Sequence, residues 1–218
     1  MLNQMLKTKD QSFLYARHLN SPLVVGVPHH SPYGSSHLPT PDLRPGDENT
    51  GYLGAYLAAK LKASLIIACN YSFDVNKTWF SDYTRIIRSW RPNFLIEIHG
   101  HGGNNTGNDI EISCGKAEKS YLAEKLASAL HSRCSKHNLL QHLQISGKFS
   151  EIYYQATMSK TIICDSWNGI HLELPLCLRK PGSGLSGKPS HLGYEFSRLL
   201  VAALQDILAD ESHSGGKS

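Results

Sequence analysis

Leu23–His30, LVVGVPHH, and Phe94–Gly103, FLIEIHGHGG, decide the fold. Each opens as a short apolar run rich in β-branched residues that barely alternates, the mark of a strand buried on both faces. Working outward, similar runs at Ser64–Cys69, Asp109–Cys114, Thr161–Cys164 and Ile170–Leu174 predict further strands. Helical patterns fall between them at Gly51–Ala63, Ser81–Trp90, Lys116–His137 and Pro189–Ala209. In the third of these the apolar residues Leu122, Leu126, Ala129 and Leu130 keep helical spacing. Strands alternating with helices imply an α/β, single-domain layered fold with a central mixed, largely parallel sheet over residues 1–210. The tail 211–218 is expected to be disordered.

The chain has 218 residues, 40% hydrophobic and 18% charged, which suits one well-buried core. No apolar run approaches the roughly 20 residues that span a bilayer, and the polar start MLNQMLKTKDQ lacks a signal-peptide core, so a cytoplasmic protein without a membrane partner is expected. Five scattered cysteines, Cys69, Cys114, Cys134, Cys164 and Cys177, read as free thiols. A net charge of +4 with no aromatic-interleaved basic stripe argues against a nucleic-acid partner. Two loops punctuate the chain: Ser31–Gly46, with Pro32, Pro39, Pro41 and Pro45, and the Gly- and Ser-rich Lys180–Lys188.

In parallel sheets the ligand site lies beyond the carboxyl ends of the strands, so the residues there are the candidates. The first run ends in Pro28-His29-His30 and the third in His99-Gly100-His101-Gly102-Gly103. A lone histidine at such a place is usually a locally bonded loop residue, but two strand ends finishing in histidine point to a metal. A catalytic zinc takes three protein ligands and leaves a position for water. Asp47 and Glu48 open a helix and could supply the acid ligand, although acids favour a helix start without any metal and Asp47 could be an N-cap. In GIHLELP, His171 and Glu173 share one face of a strand. An acid inside an apolar strand needs a task or a partner, which makes Glu173 the candidate general base, against pairing with a structural Arg179. Asn76-Lys77, just past the second strand, suits recognition of a substrate carboxylate, though such a pair is often plain solvated surface.

The order of these features, Val-Pro-His, an acid opening a helix, Asp-Val-Asn-Lys, a strand ending in His and a late Glu-bearing strand, resembles the N-formylglutamate amidohydrolase family. The likeness runs from about Leu23 to Pro175. It implies a phosphorylase/hydrolase-like, zinc carboxypeptidase-like fold and one Zn2+ per chain, or another divalent metal, held by His29, Asp47 and His99. Glu173 would be the catalytic base, while Asn76 and Lys77 would hold the carboxylate of a small-molecule substrate such as an N-acyl amino acid. The chain departs from the family in reading Pro-His-His-Ser rather than Pro-His-Ser-Gly, which makes His30 a rival ligand, and in carrying Lys77 where the wider group has Arg. Glu48 remains the alternative acid.

Two readings from other classes stand beside this one. Gly182–Pro189, GSGLSGKP, matches Gly-x-x-x-x-Gly-Lys but has proline where a P-loop needs Ser or Thr for magnesium. The other is a non-catalytic metal- or carboxylate-binding module on the same fold.

Overall fold

The computed structural model describes residues 2–7, 10–35, 46–103, 106–182 and 189–214. Its strands are β1 (Ser12–Ala16), β2 (Leu23–Ser31), β3 (Asp47–Glu48), β4 (Ser64–Cys69), β5 (Phe94–His101), β6 (Ile110–Ser113), β7 (Ile145–Ser146) and β8 (Asn168–Pro175). The helices are α1 (Leu2–Met5), α2 (Thr50–Leu61), α3 (Asp82–Trp90), α4 (Ser120–Cys134), α5 (Leu176–Arg179) and α6 (His191–Ser214). The eight strands form one sheet in the order β1-β4-β2-β5-β8-β6-β7, with β3 paired to β2. The central ladders, β4-β2-β5-β8, are parallel, whereas β1 runs antiparallel to β4 and β6 antiparallel to β8. This is the mixed, largely parallel sheet that the sequence predicts.

Helices cover both faces, which is why the central strands read as unbroken apolar runs. One face packs Val25, Val27, Ile96 and Ile98 beneath Leu53 and Leu57 of α2, Leu126 of α4 and Phe196 of α6. The other packs Val24 and Leu95 against Tyr83 and Ile87 of α3 and against Trp167. Ser81 caps α3 by accepting a hydrogen bond from the Thr84 amide.

The expected strand at Thr161–Cys164 is instead a turn. The Ile163 amide bonds back to the Ser159 carbonyl, and the Thr161 carbonyl accepts from the Trp167 indole, so the backbone is committed locally while Ile162 is buried in the α3-side cluster. Helix α6 runs to Ser214, and residues 215–218 of the expected tail lie outside the described residues. Residues 36–45 of the proline loop and 183–188 of the Gly-Lys motif lie outside them too. All five cysteines are free thiols. No helix among the described residues is long and apolar enough to cross a membrane.

Candidate metal and hydrolytic site

Strand alternation places the chemistry on one face of the sheet. In β5 the residues between Ile96 and Ile98 and beyond belong to the α3 side, so Leu95, Glu97, His99 and His101 share a face. In β8, His171 and Glu173 fall on that same side, because Ile170, Leu172 and Leu174 enter the opposite core. Register then aligns two polar rows across three strands: Glu97 beside His171 and Ser113, and His99 beside Glu173 and Glu111.

In β2 a register shift between Val27 and His30 reverses the alternation. His30 consequently turns toward α2, where its Nε2 donates to the Leu6 carbonyl (2.9 Å) and its Nδ1 accepts from the Gly51 amide (3.1 Å). Both nitrogens are committed, and burial lowers its pKa to about 4. His30 is thus a neutral structural staple, whereas His29 turns to the α3 side and sets its Nε2 3.4 Å from Asp74 Oδ1.

His29, Asn76, Lys77, His99, His171 and Glu173 line one cavity of about 490 Å³, whose remaining wall is the segment Tyr153–Ser159. The ring centres of His29 and His99 lie 5.2 Å apart. Asp47 Oδ2 stands 3.5 Å from His99 Nδ1. Asp47 is not the cap of α2, since Asn49 holds that position. Glu48 points elsewhere, its Oε1 accepting from the Gly34 amide.

The second nitrogen of His99, Nε2, lies 3.4 Å from Glu97 Oε2. Burial disfavours a charged ring at His99, but Asp47 and Glu97 at its two nitrogens outweigh that and raise its pKa to about 9. Burial and the charge on His99 together lower His171. His171 Nε2 meets Glu173 Oε1 at 3.1 Å, while Glu173 Oε2 and His171 Nδ1 are buried without a hydrogen-bond partner. Glu173 is therefore held by His171, and not by Arg179, whose guanidinium donates to the carbonyls of Leu174, Glu48 and His101. Those three bonds lock the ends of β8, β3 and β5 together beneath the site.

Lys77 is half exposed and pairs with Asp74 at 2.6 Å. Asn76 is buried, with its amide nitrogen donating to Glu97 Oε2 and Ser159 Oγ, both at 3.2 Å, and its Oδ1 without a partner. The expected carboxylate-binding pair thus divides: the lysine is at hand, and the asparagine has an acceptor left, not a donor. Glu111, which the sequence reading passed over, accepts both the Tyr153 and Tyr154 amides at 2.8 Å and fixes the cavity wall.

Among the described residues one group of three His, Cys, Asp or Glu side chains brings its ligand atoms within 4.8 Å of one another, Glu97, His99 and His171. His29, Asp47 and His99 are less tightly gathered, with Asp47 against His99 and the His29 ring beside it. Two imidazoles on one tetrahedral zinc, with Zn–N near 2.0–2.1 Å, keep their ring centres about 5 Å apart and neighbouring donor atoms about 3.4 Å apart. The 5.2 Å between the His29 and His99 rings and the 3.5 Å between His99 and Asp47 are near these values, although the three ligand atoms do not gather as closely as those of Glu97, His99 and His171. The His99 and His171 rings sit only 4.1 Å apart at a 38° tilt, closer to stacking than to shared coordination.

The fold is similar to that of several solved structures. The chain resembles a bacteriophage poly-γ-glutamate hydrolase with a TM-score of 0.63 at 11% identity, over 91% of this chain and 90% of that one. It resembles N-formylglutamate amidohydrolase from Ralstonia eutropha JMP134 with a TM-score of 0.54 at 11% identity, over 90% and 97%. A zinc-free form of the protein YNDL matches with a TM-score of 0.51 at 14% identity, over 90% of each chain. At such identities the likeness is one of fold. No protein-family model and no curated protein matches the sequence.

Proposed function

We propose that the protein is a zinc-dependent amidohydrolase in which His29, Asp47 and His99 hold one divalent ion and Glu173 is the general base. The observation that carries this reading is the convergence of His29, His99, Glu173, Asn76 and Lys77, from four separate segments, on one cavity, with Asp47 against His99. The tighter group containing Glu97 is the weaker ligand set, because Glu97 already accepts bonds from Tyr83, Thr161, Asn76 and His99 and a carboxylate has about four lone-pair sites.

A bound zinc ion supplies a Lewis acid that polarises the amide carbonyl and makes a water more acidic. The chain does the rest. Glu173, steadied through Oε1 by His171, keeps Oε2 uncommitted to take the proton of the attacking water and return it to the leaving nitrogen. Lys77 meets a substrate carboxylate as a point charge in competition with Asp74. Asn76 accepts a substrate N–H at Oδ1. N-formylglutamate and poly-γ-glutamate, named in the similar structures, are both amides that carry free carboxylates and N–H groups. An N-acyl or γ-glutamyl amide is accordingly the substrate class.

Amine release from N-formyl-L-glutamate, other N-acyl amino acids and a γ-glutamyl peptide, with and without zinc, tests the reading. Zinc-dependent release from at least one is expected. Failure of the zinc-loaded protein to cleave any of them would leave a binding module and remove the enzyme.

A further inference from the structure

We propose that Glu97 is a positioning residue, a buried carboxylate that fixes the His99 ring for metal binding and the Asn76 amide for substrate. The proposal rests on the reading of His99 as a ligand. Glu97 is fully buried. Its Oε1 accepts from Tyr83 Oη (3.0 Å) and Thr161 Oγ1 (2.6 Å), and its Oε2 from Asn76 Nδ2 (3.2 Å) and His99 Nε2 (3.4 Å). Two of these donors brace the carboxylate, and the other two belong to the site.

The braces are built into the fold. Tyr83 comes from α3, buried against the sheet. A side chain at Gly26 of β2 would overlap the Tyr83 hydroxyl, so the absence of a Cβ there is what lets that hydroxyl reach Glu97. Thr161 belongs to the turn that replaces the expected strand, and its hydroxyl also meets Ser159, the second acceptor of the Asn76 amide.

With Nε2–H held inward by Glu97, the His99 ring presents Nδ1 to Asp47. This is the carboxylate–histidine arrangement by which an outer partner sets which nitrogen binds a metal, and losing such a partner typically weakens metal binding 10–100-fold. With Nδ2 held inward by the same carboxylate, Asn76 has only Oδ1 to offer a substrate.

The test is Glu97→Gln, with zinc affinity measured by chelator competition on the metal-free protein and with cobalt(II) absorption as a second readout. Circular dichroism melts establish that each variant folds. The expected result is one ion per chain bound about 10–100-fold more weakly, with a shifted cobalt spectrum. Equal affinity and an unchanged spectrum in folded Glu97→Gln would overturn the proposal while leaving the hydrolase reading intact. Complete loss of the ion from Glu97→Gln and from His171→Ala, with binding retained in His29→Ala, would make Glu97 a ligand and overturn it as well. If Glu97→Gln does not fold, Tyr83→Phe and Thr161→Val loosen the same carboxylate without removing it. Both variants are then expected to weaken zinc several-fold, and unaltered affinity in both would refute the role. A wild-type protein that binds neither ion would refute the hydrolase reading itself.

Discussion

Gly100→Ala should be among the most damaging single-methyl additions in the molecule. A Cβ at Gly100 would overlap the guanidinium carbon of Arg179 and lie 2.5 Å from its Nε and 2.7 Å from its Nη1. A flexible arginine could ordinarily swing aside, but this one is buried and donates to Leu174 O (3.1 Å), Glu48 O (2.8 Å) and His101 O (3.0 Å). Bonds from a charged donor are worth about 1.5–3 kcal/mol each, so losing two of the three costs about 3–6 kcal/mol. The same clip sets Asp47, His99 and Glu173 at the ends of β3, β5 and β8, and metal affinity should fall with stability. Gly102 is the internal control: two residues along, an added Cβ meets nothing within 4 Å, and Gly102→Ala should be neutral or slightly stabilising. Urea unfolding of wild type, Gly100→Ala, Gly102→Ala and Arg179→Met gives the comparison. If Gly100→Ala costs less than about 1 kcal/mol while Arg179→Met costs several, the guanidinium is not pinned as described.

Glu173→Gln should keep the fold and the metal yet lose about 10²–10⁴-fold in turnover, measured by amine release; undiminished turnover would exclude it as the base. Lys77→Met should raise KM for carboxylate-bearing amides more than it lowers kcat, and the shift should shrink at high salt; an effect on kcat alone would move Lys77 out of carboxylate binding. His30 takes up protons in the unfolded chain near pH 6.5 but in the native state only near 4. The native form thus binds fewer protons in between, and stability is lost as pH falls through that window, by about 3 kcal/mol from this group. Melts of the metal-free protein between pH 7 and 4 should show that loss, reduced in His30→Gln; equal pH dependence in both would contradict it.

Much of the architecture was legible because it follows from hydrophobic pattern. The central strands are buried on both faces and declare themselves as LVVGV, SLIIAC and FLIEI. What escaped was set by partners distant in the chain. The two-residue strands β3 and β7 exist only through pairing with β2 and β6. TIIC has the composition of a strand but spends its polar groups on Glu97, Ser159 and Trp167.

At the site, two histidine-ended strands and an acid in an apolar run were readable signals. The rule that singled out Glu173 applies equally to Glu97 in FLIEI and Glu111 in IEIS, and both are buried acids with demanding partners. The choice between His29 and His30 was not readable, since it turns on a bulge between Val27 and His30 that reverses which face each occupies. Nor was the pairing of Asp74 with both His29 and Lys77 readable, because it depends on how the segment after β4 folds over the strand ends.

Zinc titration of the metal-free protein, followed by calorimetry in wild type, His29→Ala, Asp47→Ala and His99→Ala, bears most directly on the shared ion. One ion per chain in the wild type, with tight binding abolished in each variant, is the expected outcome. Stoichiometric zinc that persists in both His29→Ala and Asp47→Ala would contradict the assignment of those side chains.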